Sequence, residues 1–245
     1  MSLLVLSLAP VIIILAYVYI RDKYEKEPLR LVLKGLAAGA IILIPAAFIE
    51  EGLGRLPESR GLIPGALYTG FVVAGATEEL LKFLMVFLLF FRNRNFNERY
   101  DGIVYSVAVS LGFAALENVL YVFRGGMQVG LLRAFTAVPA HAFFGMIMGY
   151  YFGLARFVQG AKSKNLLKAI ALPWFFHGLY DFILYSQNPW LLLTFVPLMI
   201  VLLVTGMKRI KQHQLASAFN PKSESFLELP ADEADTTQED QTSEA

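Results

Sequence analysis

The sequence predicts an all-α, polytopic integral membrane protein, a bundle of about seven transmembrane helices. Of its 245 residues, 56% are hydrophobic and only 17% are charged, and the mean hydropathy is +0.55. A soluble domain carries about 25% charged residues. Eight of the 20 acidic residues lie in the last 24 positions, which leaves the rest of the chain poorer still in polar surface. This composition excludes soluble and disordered classes, and the net charge of +1 indicates no nucleic-acid partner.

Seven apolar stretches are long enough to cross about 30 Å of hydrocarbon as helices. They cover residues 3–20, 31–49, 63–91, 102–123, 130–154, 166–186 and 190–206. The connections between them are short, so residues 1–211 are expected to form one membrane domain. Residues 212–245 are polar and then acidic, without apolar periodicity, and are expected to form a disordered cytoplasmic tail.

Lysine and arginine in the connections predict how the chain is oriented. Fifteen lie in the first, third and fifth connections and after the last span, against four on the opposite side. Because basic residues mark the cytoplasmic side, the N-terminus is expected outside and the C-terminus in the cytoplasm. The prediction is a multi-pass protein of a bacterial-type cell membrane.

Ionisable residues inside the spans are the main indication of function. Each such group costs about 2.5–3.5 kcal/mol at mid-bilayer, so they are expected to pair, to bind a cation or to face water. They are Glu78, Glu79 and Lys82 in the third span, Glu117 in the fourth, His141 in the fifth, and His177 and Asp181 in the sixth. At 1.5 Å per residue they fall within one layer about 10 Å thick, which predicts a shared site.

Spacing along the helices suggests which of these residues meet. His177 and Asp181 are four residues apart and share a helix face. Glu79 and Lys82 are three apart and are predicted to form a structural ion pair. Glu78 lies about 100° around the helix from Glu79, which leaves its direction open.

The residue types indicate hydrolytic chemistry. His141 and His177, with Glu117 and Asp181, can supply nitrogen and oxygen ligands to a divalent metal, with Zn²⁺ expected. Glu78 could then take a proton from metal-bound water. General-base activation of water without a metal stays open. The chain has no cysteine, no His-Glu-x-x-His motif and no plausible in-membrane serine triad.

Several motifs together resemble the PrsW family of intramembrane proteases. They are Glu78-Glu79-Leu80-Leu81-Lys82, Tyr100-Asp101-Gly102-Ile103-Val104-Tyr105, Leu116-Glu117-Asn118, His141 with Gly145, Gly149 and Gly153, and His177-Gly178-Leu179-Tyr180-Asp181-Phe182. The resemblance implies a protease that makes the first cut in a single-span, membrane-anchored anti-sigma factor, leading to release of the sigma factor.

PrsW proteins are similar in turn to the CAAX prenyl endopeptidases. That similarity implies that Glu78 acts on water and that Glu79 is the partner of Lys82. It also implies that His141 and His177 are metal ligands or position the water, and that Asp181 is a ligand or orients one. Glu117 belongs to the PrsW pattern and is kept as a catalytic or metal-binding candidate. The longer CAAX motif ending in Arg is absent, so prenyl-protein specificity is not expected.

Two other functions fit the same residues. A cation or proton transporter could use carboxylates and histidines at the midplane, although no inverted repeat is visible. A non-catalytic membrane scaffold is the third hypothesis. The glutamate and both histidines argue against the scaffold.

Overall fold

The computed structural model describes residues 3–55 and 61–222, and within those ranges the chain is helical and contains no strand. The elements are α1 (Leu3–Arg21), α2 (Leu29–Gly54), α3 (Leu62–Tyr68), a π-helical segment (Thr69–Ala76), α4 (Thr77–Leu89), α5 (Asp101–Phe135), α6 (Ala137–Phe157), α7 (Lys162–Tyr185), α8 (Pro189–Leu192) and α9 (Phe195–Leu215). The predicted all-α membrane class is confirmed.

Among the residues that the structure describes, length and apolar composition identify four helical stretches that could cross a membrane. They are Leu3–Arg21, Leu29–Gly54, Asp101–Phe157, which joins α5 to α6, and Pro189–Leu215. The third predicted span is divided among α3, the π-helical segment and α4, and α7 begins with Lys162, Lys164 and Lys168. These helices support a multi-pass membrane protein, and the number of seven transmembrane helices stays a prediction.

Helix α5 is the centre of the bundle. It packs against α1, α2 and α6, and residues 101–114 are buried on every side. A helix that is apolar all round is suited to such a position. The approach of α6 depends on Gly149, because a Cβ atom there would lie 2.2 Å from the carbonyl oxygen of Gly102. Small residues at such crossings let membrane helices approach closely.

The fifth predicted span is not one continuous helix. A connection over 124–129 was expected, with a new span from Gly130, and the helix is kinked inside that connection, at Gly126 (φ 74°), but the segment after the kink ends at Phe135. Helix α6 then begins at Ala137. The residues between the kink and Phe135 are apolar, which is why they were assigned to the next span, but they form a short separate helix. That helix carries Arg133 back toward the bundle, where it contacts Glu117.

The C-terminal boundary also differs from the prediction. Helix α9 continues to Leu215, and Ser217, Phe219 and Asn220 are buried. Residues 212–222 are therefore packed against the bundle instead of beginning a tail, because apolar and neutral polar side chains there find partners. Residues 223–245, the rest of the predicted tail, lie outside the described residues.

Contacts between helix ends place several connections on one side of the bundle. The ring of His213, in the last turn of α9, contacts the carbonyl oxygen of Arg99 at 2.7 Å. Arg156, at the end of α6, donates to the carbonyl oxygen of Asn93 at 2.9 Å. These ends are the ones that the basic residues predict to be cytoplasmic, so the helix ends agree with the predicted alternation.

Candidate active site inside the bundle

Lys82 lies at the centre of a buried polar cluster. Its Nζ atom is 2.9 Å from Glu78 Oε2, 2.8 Å from Glu79 Oε1 and 3.2 Å from His141 Nδ1. The side chain is 1% exposed, and its ammonium group lies 4.4 Å from the centre of the Phe113 ring. Lys82 therefore joins both glutamates of α4 to a histidine of α6.

His177 of α7 completes the cluster. Its Nδ1 atom is 2.9 Å from Glu79 Oε1, and its Nε2 atom faces Asp181 Oδ2 at 3.5 Å and Glu78 Oε2 at 4.0 Å. The ring stacks on Phe144 with a centroid separation of 5.0 Å. When Nδ1–H donates to the Glu79 carboxylate, the Nε2 lone pair points toward the other two carboxylates.

His141 is held at both ring nitrogens. Nδ1 accepts from Lys82, so Nε2–H donates to Glu117 Oε2 at 3.0 Å. The same Glu117 oxygen accepts from Arg133 Nη2 at 2.7 Å, and Arg133 Nε donates to Asn118 at 3.0 Å. Glu117 is thus a support that orients the imidazole of His141.

The π-helical segment explains how α4 meets α7. Residues 69–76 widen the helix just before Glu78 and Glu79, and a Cβ atom at Gly70 would lie 2.7 Å from the carbonyl oxygen of Gly178. The glycine lets the segment touch α7 beside His177. π-Helical turns are rare and are frequently found at functional sites.

Four donor residues have ligand atoms within 4.8 Å of one another: Glu78, Glu79, His141 and His177, all buried. Such a set of nitrogen and oxygen donors inside apolar helices is a candidate hydrolytic centre. Sequence comparison decides which family this site belongs to. A model described as PrsW family intramembrane metalloprotease matches residues 27–206.

The chain belongs to the PrsW family of intramembrane metalloproteases.

Several similar proteins bear the name Protease PrsW. The one from Geobacillus kaustophilus is 38% identical over 77% of this chain and 82% of its own length. The Bacillus subtilis protein is 37% identical over 84% of this chain and 93% of its own length. The Oceanobacillus iheyensis protein is 34% identical over 86% of this chain and 96% of its own length. No solved structure matches significantly. Membership of PrsW makes this chain a membrane protease, a hydrolase of peptide bonds located in the cell membrane.

The donor atoms fit the metal that the PrsW description implies. A histidine that binds a metal usually donates its other ring N–H to a carboxylate, and His177 donates Nδ1–H to Glu79 in this way. Glu79 Oε2 is buried without a hydrogen-bond partner. The ligand atoms nearest the His177 lone pair are on Asp181 and Glu78, whereas Glu117 is engaged by Arg133 and His141.

The structure gathers every predicted site residue of this PrsW chain and adds two that were missed. Arg133, expected at the outer end of the fifth predicted span, holds Glu117. Glu50, expected at the outer surface, has one buried oxygen without a hydrogen-bond partner, and its charge interacts with Glu78 and Glu117. The only sequence signal for Glu50 was a carboxylate at the outer end of the second predicted span.

Proposed function

We propose that this chain is an intramembrane endopeptidase that cuts a single-span membrane substrate, an anti-sigma factor, at the first site that leads to sigma-factor release. The observation that carries the proposal is the buried cluster in which Glu78, Glu79, His141 and His177 converge around Lys82. The relatives' printed name, Protease PrsW, supports peptide-bond hydrolysis. The choice of substrate rests on the family resemblance.

Glu78 is the proposed general base, and Glu79 is its structural neighbour. The Glu79 side chain is fully buried, and its Oε1 atom is held by both Lys82 and His177. The Glu78 side chain is 7% exposed and has one contact to Lys82. Glu78 therefore has the better access to water, and a base must lie within reach of the proton it removes.

The remaining residues orient the reacting groups. Lys82 compensates the charge of both glutamates, and Glu117 with Arg133 fixes the ring of His141. His177 and Asp181 face the space beside Glu78. A bound Zn²⁺ would lower the pKa of a coordinated water and polarise the substrate carbonyl. His177 and Asp181 would hold it, and His141 would be a further ligand through Nδ1, the atom that contacts Lys82.

A reconstituted cleavage assay tests the proposal. The purified protein is placed in liposomes with a single-span reporter, and the fragments are mapped by mass spectrometry. We expect one cut near the extracytoplasmic end of the reporter helix, and loss of cutting in His177→Gln. Glu51→Gln is the control, since that exposed side chain pairs with Arg55 away from the cluster.

Chelation separates the metal from the protein framework. A chelator that removes zinc should stop cleavage, and added Zn²⁺ should restore it. Cleavage that persists in metal-free protein would contradict the role proposed for the metal and would support hydrolysis by general-base catalysis alone. An uncut reporter together with ion flux through the liposomes would contradict the protease proposal altogether and support a transporter.

A further inference from the structure

A second group of acidic residues lies at the predicted cytoplasmic ends of the helices, away from the candidate active site. It comprises Asp22, Glu25 and Glu27 between α1 and α2, Glu98 between α4 and α5, and Asp101 at the start of α5. We call it the loop carboxylate cluster. The ligand oxygens of Asp22, Glu98 and Asp101 lie within 4.8 Å of one another, and so do those of Glu25, Glu27 and Asp101. Asp101 belongs to both triplets.

Four of these five carboxylates are deeply buried, and Glu25 is half-buried. The exposed fractions are 1% for Asp22, 0% for Glu27, 3% for Glu98 and 0% for Asp101. Burial, followed by the charge of Glu98, raises the pKa of Asp22 to about 9, which reflects how strongly the site disfavours uncompensated negative charge. Acidic side chains are almost never fully buried unless they are paired or bind a metal.

One oxygen of each of three carboxylates is fixed by the protein. Asp101 Oδ2 accepts from the backbone N–H groups of Asn97 and Glu98, both at 2.8 Å. Asp22 Oδ2 accepts from the backbone N–H of Glu27 at 3.2 Å. Glu27 Oε2 accepts from the hydroxyl of Tyr105. These bonds set the direction of each side chain and leave its second oxygen available.

The second oxygens point to a missing ligand. Asp22 Oδ1, Glu27 Oε1 and Asp101 Oδ1 are buried and have no hydrogen-bond partner among the described residues. An unsatisfied buried polar atom is rare in native structures and costs about 1–3 kcal/mol, more for a charged group. Arg156, whose charge interacts with Asp101, directs its guanidinium nitrogens at the carbonyl oxygens of Phe91 and Asn93.

We infer that the loop carboxylate cluster binds a hard divalent cation, Mg²⁺ or Ca²⁺, through the free oxygens of Asp22, Glu27 and Asp101 with Glu98 and Glu25. Both ions take oxygen ligands, and carboxylates are their usual protein donors. The cation is a structural link between the α1–α2 and α4–α5 connections. The donor set lacks nitrogen, which distinguishes it from the histidine-containing site inside the bundle.

Thermal unfolding of the purified full-length protein in detergent tests this inference. Cation-free protein receives Mg²⁺ in one arm and Ca²⁺ in the other, and unfolding is followed by intrinsic fluorescence. At a cation concentration 100 times its dissociation constant, the unfolding temperature should rise by roughly 5–10 °C. The ion that acts at the lower concentration is the preferred ligand.

Isosteric variants assign the effect to the cluster. Asp22→Asn and Asp101→Asn should abolish the cation-dependent rise. Glu51→Gln, at the other end of α2, and His177→Gln, in the intramembrane site, should retain the rise.

Terbium luminescence keeps the test decisive if the cluster variants do not fold. Tb³⁺ substitutes for Ca²⁺ and emits when it is excited through a nearby tyrosine, and Tyr105 contacts Glu27 directly. We expect sensitised emission that Ca²⁺ or Mg²⁺ displaces and that Tyr105→Phe weakens. Absence of both a thermal shift and a displaceable emission would overturn the inference and indicate protons shared between carboxyl groups. A thermal shift unchanged in both aspartate variants would also overturn it.

Discussion

Replacing Lys82 by methionine tests the packing of charge inside the bundle. Lys82 contacts Glu78, Glu79 and His141 within 3.2 Å, and its side chain is 1% exposed. Methionine has nearly the same length and leaves no cavity large enough to explain a major effect. The substitution therefore removes the positive charge while two carboxylates stay buried.

The magnitude follows from that uncompensated charge. Removing one partner of a buried ion pair costs about 3–5 kcal/mol. For a chain of this size, each kcal/mol of lost stability lowers the unfolding temperature by about 2–4 °C. The unfolding temperature of Lys82→Met should therefore be roughly 6–20 °C lower than that of the unaltered protein. Adding Glu79→Gln to this variant should recover part of the loss, because it removes one of the unpaired charges and keeps an acceptor for His177.

The assay is thermal unfolding in detergent together with reporter cleavage in liposomes. Lys164→Met is the matched control, since Lys164 is exposed near the start of α7. We expect the control to behave as the unaltered protein and Lys82→Met to lose both stability and cleavage. A Lys82→Met protein that unfolds at the original temperature would refute the proposed charge compensation.

Two further substitutions probe how the helices position the site. Gly149→Ala places a Cβ atom 2.2 Å from the carbonyl oxygen of Gly102 and should destabilise the protein by about 1–3 kcal/mol through overpacking. Gly52→Ala is the control, because a Cβ atom there has no neighbouring atom within 4 Å and the protein should keep its stability. Equal unfolding temperatures of the two variants would contradict the close helix crossing. Arg133→Met removes the 2.7 Å ion pair to Glu117 and should lower the cleavage rate of a folded protein, and an unchanged rate would show that this support is dispensable.

The membrane class and the convergence of polar groups followed from sequence because both depend on local patterns. Apolar stretches of helical length predict insertion, and a depth calculation at 1.5 Å per residue put the ionisable groups in one layer. The i,i+3 spacing also predicted the contact of Glu79 with Lys82. The angle between Glu78 and Glu79 around the helix left the direction of the Glu78 side chain undecided. In the structure Glu78 also contacts Lys82, because the long lysine side chain reaches both glutamates.

Contacts that depend on backbone irregularity could not be predicted in the same way. The segment after the kink at Gly126 brings Arg133 to Glu117, and apolar periodicity does not give the direction that the chain takes after such an interruption. Asp101 stands just before the fourth predicted span, and nothing in that position indicates that the fold buries it among other carboxylates. His213 was assigned to the tail, and it packs against the ring of Tyr150 instead.

The most direct test of the account is the activity of a folded Glu78→Gln protein. This substitution preserves side-chain size and an oxygen that accepts from Lys82, and it removes the carboxylate proposed to take a proton from water. The unaltered protein should cut the single-span reporter in liposomes, and Glu78→Gln, with an unfolding profile that shows an intact bundle, should leave it whole. Cutting at an undiminished rate by Glu78→Gln would contradict the central claim.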